Sequence, residues 1–145
     1  MEQDINDILD IEARRTQALL DGDAAALADR LRLSGEERDR LVTLRAAAAL
    51  SPAATDDDLR RALADDPAAV LIGRVWLAHG DAGLRARLAA MPAPTFPLRG
   101  RDLAAAGVPP GAAMGTLLRD LRDWWMAGGC TADAASCRAE LARRL

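Results

Sequence analysis

The sequence contains no lysine and no tyrosine, and it has a single phenylalanine and a single histidine, His79. Aromatic and β-branched residues, which favour strands, are scarce, whereas alanine, leucine and arginine, which favour helices, are abundant. The 145 residues are enough to bury a hydrophobic core. We therefore predict an all-α fold, a compact bundle of about seven to eight short helices without a substantial sheet.

The scarcity of histidine also restricts the chemistry that the chain can perform. A metal-dependent phosphohydrolase needs several histidines, and we interpret His79 as a helix-end residue because Gly80-Asp81 follows it. Asp56, Asp57 and Asp58 crowd a predicted helix start, where capping and the helix dipole account for them. No Gly-rich phosphate loop follows a strand. We therefore expect no catalytic residues, no metal ligands and no cofactor in this chain.

The two cysteines and the hydropathy pattern bear on redox state and location. Cys130 and Cys137 are seven residues apart, a spacing typical of neither a redox nor a zinc motif. Cys137 falls on the apolar face of a predicted helix, which favours a buried thiol. Neither a signal peptide nor a membrane-spanning run is visible, so we expect a cytoplasmic protein with no membrane partner.

Composition and proline positions divide the chain into three segments. Residues 1–22 hold three of the four isoleucines and are predicted to form an N-terminal amphipathic helix or adapter. Residues 23–91 are predicted to form a helical body, and residues 92–145 a tail subdomain. The boundary is placed at Pro92, Pro94 and Pro97, because prolines remove backbone donors and restrict the residues before them.

Capping residues predict where the helices of the body and tail begin. Ser34 and Glu37 form a capping box, and Pro67 suits a first helical position after a capping Asp66. The other predicted caps are Asp23, Thr55, Asp81 and Thr131.

Apolar spacing predicts which helical residues are buried. The helix after Ser34 is expected to bury Leu41, Leu44 and Ala48. Residues 68–78 are apolar nearly all round, which predicts a helix at the centre of the bundle. The clearest amphipathic pattern follows Gly111, and Leu141 and Leu145 are predicted to lie on the buried side of the last helix.

One stretch carries a more specific pattern. Residues 96–103 read Phe-Pro-Leu-Arg-Gly-Arg-Asp-Leu, residues 107–111 read Gly-Val-Pro-Pro-Gly, and Gly115, Leu118 and Trp124-Trp125 follow. This pattern resembles the C-terminal body and tail of bacterial CCA-adding enzymes, the tRNA nucleotidyltransferases of the poly(A) polymerase family. Residues 31–41 are also similar to the body of that family, so the resemblance spans about residues 24–145.

The resemblance implies a domain that binds or positions tRNA towards its elbow. The sequence departs from the family at Ala112, where a proline is usual, and in having no Asp-x-Asp pair on a strand. The Mg²⁺ ions and the CTP or ATP of the family would therefore belong to an absent catalytic head. On this interpretation the chain is not an enzyme by itself, and its partners are tRNA, the head domain or a second copy.

The motif also suggests which residues contact RNA and which shape the fold. All basic residues are arginines, explained either by codon usage or by a fit to phosphate, and the net charge of -3 requires any RNA site to be a local arginine patch. The candidate RNA-binding residues are Arg99, Arg101, Arg119 and Arg122 with the helix start at Gly111. The candidate structural residues are Gly100, Asp102, Leu103, Gly107 and Gly115. Gly100 and Gly107 are expected to supply unusual backbone angles, and Asp102 to accept backbone N–H groups.

Two alternatives stay open. The motif residues could form a shaped turn that packs two helices without any ligand. The domain could also be a helical protein-interaction or dimerisation module, in which loss of the catalytic head bares an apolar surface.

Overall fold

The computed structural model describes residues 24–145, and their secondary structure consists of helices without strands. The predicted all-α class with about seven to eight short helices is therefore confirmed for this part of the chain. The predictions for residues 1–22 and for Asp23 lie outside the described residues. The helices are α1 (Ala24–Leu31), α2 (Gly35–Arg45), α3 (Asp56–Asp65), α4 (Ala68–Ala78), α5 (Ala82–Ala90), α6 (Gly100–Ala105), α7 (Ala112–Ala127) and α8 (Ala134–Arg144).

The chain divides into two compact units, and the first ends at Ala48. Its helices α1 and α2 pack together. The predicted capping box is confirmed, because the Ser34 N–H donates to Glu37 Oε2 at 2.8 Å and the Glu37 N–H donates to Ser34 Oγ at 3.3 Å. The Ser34 N–H and the Ser34 hydroxyl both donate to Glu37 Oε2, which stabilises the carboxylate and lowers the pKa of Glu37.

The burial predicted for α2 is wrong. No residue of this helix is fully buried, and Leu41 and Leu44 are only half-buried. The helix ends at Arg45, so Ala48 lies beyond it and is exposed. The apolar spacing continues for one turn beyond the last helical residue, so it overestimates the length of the helix.

The second unit, residues 49–145, contains two hydrophobic clusters. The first cluster comes from α3, α4 and α5, each of which contributes two residues spaced four apart and hence on one helix face. Its members are Leu59, Leu63, Leu71, Val75, Leu84 and Leu88. The second cluster comes from the C-terminal third of the chain, and its members are Leu98, Leu103, Val108, Leu121, Trp125, Cys130, Cys137 and Leu141.

Helix α4 is more exposed than its sequence predicts. Leu71, Arg74 and Val75 are buried, but Trp76 is 59% exposed, so the helix has a solvent-facing side. The buried Arg74 donates a 2.6 Å bond to Asp66 Oδ2. This ion pair lets a charged residue occupy the inner face of an otherwise apolar helix.

Two predicted caps are displaced. Asp66 ends α3, since its N–H bonds to Ala62 O at 2.9 Å, and Pro67 takes the capping position of α4. Asp133 rather than Thr131 caps α8, because the Ser136 N–H donates to Asp133 Oδ1 at 2.8 Å. This bond also lowers the pKa of Asp133. By contrast, the predicted caps at Thr55 and Asp81 are confirmed.

Burial in the last helix is predicted correctly in part. Cys137 and Leu141 are buried in the second cluster, as expected. Leu145 is 65% exposed, because it follows Arg144, the last helical residue, and leaves the buried face of α8.

Three arginines join α3 to α7, and we call Arg60, Arg61 and Arg122 the arginine clamp. Arg60 Nε donates to Gly129 O at 2.8 Å, just beyond the end of α7. Arg61 Nε donates to Met126 O at 2.8 Å, and its Nη2 donates to Ala127 O at 3.2 Å. The last carbonyls of a helix lack intrahelical partners and carry partial negative charge, so guanidinium groups stabilise them.

The third arginine of the clamp lies on α7 and bonds to the end of α3. Arg122, on α7, donates to Ala64 O at 3.2 Å and to Asp65 Oδ1 at 2.7 Å, at the end of α3. Ala64 also packs against the second cluster. Each helix therefore supplies arginines to the carbonyl end of the other, which fixes α3 against α7.

The clamp predicts a specific loss of stability. Arg61→Met keeps the apolar stem but removes the bonds to both carbonyls, and we expect the free energy of unfolding to fall by about 1 to 3 kcal/mol in urea denaturation. Arg119→Met is the matched control, since Arg119 is an exposed arginine of α7 whose bond is to Thr116 Oγ1 at 3.3 Å. Equal stability of the two variants would contradict the clamp.

Candidate nucleic-acid interface

The motif at residues 99–107 forms a short capped helix. The Arg99 N–H donates to Asp102 Oδ2 at 2.8 Å, so Asp102 accepts a backbone N–H group as predicted. Leu103 is fully buried and anchors α6 in the second hydrophobic cluster. Gly107 has a φ of 92° and ends the helix in a conformation that favours glycine, which confirms its predicted role.

The predicted role of Gly100 is wrong, because it does not have a positive φ. Its importance lies in its position: a Cβ placed on Gly100 would lie 3.7 Å from Sδ of Met114. The start of α6 therefore contacts the first turn of α7. Gly111, the residue before α7, has a φ of 147°, whereas a Cβ on Gly115 would meet no atom within 4 Å. No packing requirement for glycine is visible at Gly115.

The C-terminal part of the sequence carries a net positive charge because it has few acidic residues. Residues 92–145 contain seven arginines and five acidic residues, whereas residues 1–91 contain twelve arginines and seventeen acidic residues. The acidic net charge of the chain therefore conceals a basic C-terminal segment. Such a segment is the local feature that an RNA site in this chain would require.

The predicted RNA-binding arginines differ in their surroundings. Arg99, Arg101 and Arg119 are exposed, and no carboxylate in residues 24–145 forms an ion pair with them. Arg99 and Arg101 flank Gly100, so they border the contact between the starts of α6 and α7. Arg122 instead belongs to the arginine clamp, where Asp65 and Ala64 O occupy its guanidinium group. We therefore leave it out of the candidate interface.

Helices α6 and α8 enclose a groove of about 440 Å³ that the sequence did not reveal. The groove is lined by Asp102, Ala105, Ala106, Arg138, Leu141, Ala142 and Leu145. Arg138 is exposed, and no described carboxylate pairs with it. Its side chain shares the groove with Asp102, thirty-six residues earlier, a proximity that local spacing cannot predict.

The histidine and the cysteines have structural surroundings. His79 caps the end of α4, as predicted, and its Nε2 lies 2.9 Å from Leu50 O while its Nδ1 accepts the Asp81 N–H at 3.3 Å. Cys130 and Cys137 are buried free thiols. Burial raises the pKa of both, because the thiolate is disfavoured away from water.

Neither metal-binding clusters nor membrane-spanning helices occur in the described part of the chain. Residues 24–145 hold no group of three or more His, Cys, Asp or Glu side chains able to bind a metal ion. Within the same range, every helix is too short or too polar to cross a bilayer. Comparison of the chain with known protein families and with curated proteins finds no match.

The cap at the start of α6 can be tested by substitution. Asp102→Ala removes the acceptor for the Arg99 N–H, and we expect a loss of about 1 kcal/mol in the free energy of unfolding, measured in urea. Asp102→Asn keeps an acceptor oxygen and should retain most of the stability. A loss of the same size in both variants would show that the negative charge of Asp102, and not its hydrogen bond to the Arg99 N–H, stabilises the fold.

Proposed function

We propose that this chain binds tRNA through those exposed arginines of residues 92–145 that form no ion pair with a described carboxylate, and that it performs no nucleotidyl transfer by itself. The observation that supports this most strongly is how the arginines of residues 49–145 are partnered. Seven of the twelve form ion pairs with described carboxylates, and Arg85 stacks on Trp76. The remaining four all fall within residues 92–145: Arg99, Arg101, Arg119 and Arg138.

Phosphate is the ligand that best suits these arginines. A guanidinium group binds phosphate through two parallel hydrogen bonds, and in this region no carboxylate competes for Arg99, Arg101 or Arg119. The start of α7 adds backbone donors, because Gly111 supplies no side-chain cap to its first turn. A Cβ placed on Gly100, between Arg99 and Arg101, would lie 3.7 Å from Sδ of Met114 in the first turn of α7.

The resemblance to CCA-adding enzymes supports tRNA as the nucleic acid. The residues that carry it, 96–103 and 107–111, form the start of α6 and the approach to α7, and they include two of the four unpaired arginines, Arg99 and Arg101. On this proposal the chain grips the tRNA body near its elbow in the cytoplasm. Catalysis, with its Mg²⁺ ions and nucleotides, belongs to a separate catalytic head.

A salt-dependent titration with tRNA tests the proposal. We expect Arg99→Ala/Arg101→Ala to weaken binding about tenfold or more and to reduce the slope of log K against log salt by about 2, because two phosphate contacts are lost. The matched control is Arg87→Ala/Arg143→Ala, which removes the same charge from arginines that pair with Asp56 and Glu140.

Two results would contradict this function. One is that the unsubstituted chain fails to bind tRNA even at low salt. The other is that both double variants weaken binding equally, which would mean that overall charge, and not these two arginines, governs the interaction.

The groove between α6 and α8 favours a second candidate, a self-association module. Its walls are mainly aliphatic, and Leu145 beside it is 65% exposed, so a second copy could cover this surface. We expect Ala106→Glu, which puts a charge into the groove at an exposed position, to shift a dimer to monomer in sedimentation analysis. A chain that is already monomeric at high concentration would exclude this candidate.

A further inference from the structure

Trp76 stands apart from the other two tryptophans of the chain. Trp125 is buried and Trp124 is half-buried, both in or against the second hydrophobic cluster. Trp76 lies in the last turn of α4 and is 59% exposed. Because its ring is largely exposed, Trp76 contributes less hydrophobic free energy to folding than the other two tryptophans. The position therefore invites a functional explanation.

Arg85 holds the exposed ring from one side. Its Cζ lies 3.7 Å from the centroid of the Trp76 ring, and its Nη2 donates to Gly80 O at 3.3 Å. The buried Nε of Arg85 has no hydrogen-bond partner among the described residues. The guanidinium group thus lies on the indole in a cation–π contact, although one of its donors is left without a bond.

The turn after α4 supports the same ring. Gly80 has a φ of 65°, and a Cβ placed there would lie 3.8 Å from Trp76 Cε3. His79, the neighbouring residue, is fixed by its contacts with Leu50 O and the Asp81 N–H. The turn is therefore held in place, and the ring orientation that it and Arg85 support leaves much of the indole accessible to solvent.

The surroundings of Trp76 favour a small flat ligand over a protein partner. In residues 49–145 the other large hydrophobic residue that is exposed is Leu145, on α8. The other exposed residues of α4 are the small Ala69 and Ala78. A stable protein interface needs some 20 to 30 residues a side around a buried core, whereas one nucleobase needs a single flat face.

We propose that Trp76, backed by Arg85, is a stacking platform for one unpaired base of the bound RNA. The inference rests on the proposed RNA-binding function and adds to it a second point of contact, on the α4–α5 corner. Aromatic faces bind splayed-out bases of loops and single strands with little sequence preference. The arginines of residues 92–145 would bind phosphates, while Trp76 would select for RNA with an unstacked base.

The stacking platform can be tested by measuring the binding of three RNAs. They are a single-stranded oligoadenylate of about ten nucleotides, an RNA duplex of equal length and a full tRNA. We expect Trp76→Leu to weaken oligoadenylate binding about 5- to 100-fold and leave duplex binding unchanged, because only an unpaired base can stack. Trp76→Phe keeps a flat ring and should retain most of the affinity. In the unsubstituted chain, oligoadenylate should quench tryptophan fluorescence, and Trp76→Leu should abolish this quenching although Trp124 and Trp125 remain. Urea denaturation of both variants checks that the fold is intact.

The outcomes separate this inference from the proposed function. In one outcome, all three RNAs bind, binding depends on Arg99 and Arg101, and Trp76→Leu leaves it unchanged. That result would overturn the stacking platform and leave the tRNA proposal standing. Failure of the unsubstituted chain to bind any of the RNAs would overturn both. Unchanged RNA binding with a Trp76-dependent change in sedimentation would overturn the platform in favour of a protein contact.

Discussion

The second unit depends on hydrogen bonds between arginines and the carbonyl ends of two helices. Arg60 and Arg61 reach the end of α7 from α3, and Arg122 reaches the end of α3 from α7. These bonds join α3, which contributes to the first hydrophobic cluster, to α7, which contributes to the second. Because each arginine satisfies carbonyls that lack an intrahelical partner, the clamp stabilises both helix ends as well as the junction.

The same residue type therefore serves two purposes in this chain. Arginines that face carboxylates or carbonyls hold helices in position, and Arg85 holds Trp76. Those left without such partners in residues 49–145 all lie in the C-terminal segment: two at the start of α6, one in the middle of α7 and one in the groove of α8. Partnering, and not arginine content, is what distinguishes a candidate phosphate contact from a structural residue. This distinction underlies the proposed tRNA-binding role.

Local sequence signals predicted the local structure well. Short-range hydrogen bonding and backbone sterics determine where helices begin and end, and both depend on residue types that can be read from the sequence. The confirmed examples are the caps at Ser34, Thr55 and Asp81 and the helix end at Gly107. Two caps, those predicted at Asp66 and Thr131, were displaced by one and two residues. The other errors arose where tertiary contacts decide. Trp76 was predicted to be central because its helix is apolar all round, and only the position of α4 against its neighbours shows which face is exposed.

The candidate site was predictable to a similar extent. The motif identified Arg99 and Arg101, but neither spacing nor composition distinguished them from Arg122, whose partners lie fifty-seven and fifty-eight residues away in sequence. Arg138 and the groove were missed for the same reason, since they depend on how α6 and α8 meet. The proposal that the ligand is tRNA follows from the resemblance of residues 96–125 to CCA-adding enzymes.

One measurement can test whether arginines that bond to carboxylates or carbonyls are structural while the unpaired ones bind RNA. Titrating tRNA into the ¹⁵N-labelled chain and following the arginine Nε–Hε signals by NMR reports on each guanidinium group separately. We expect the signals of Arg99, Arg101 and Arg119 to shift or broaden first, while those of Arg60 and Arg61 stay in place. Equal perturbation of all five, or perturbation confined to the clamp, would contradict this expectation.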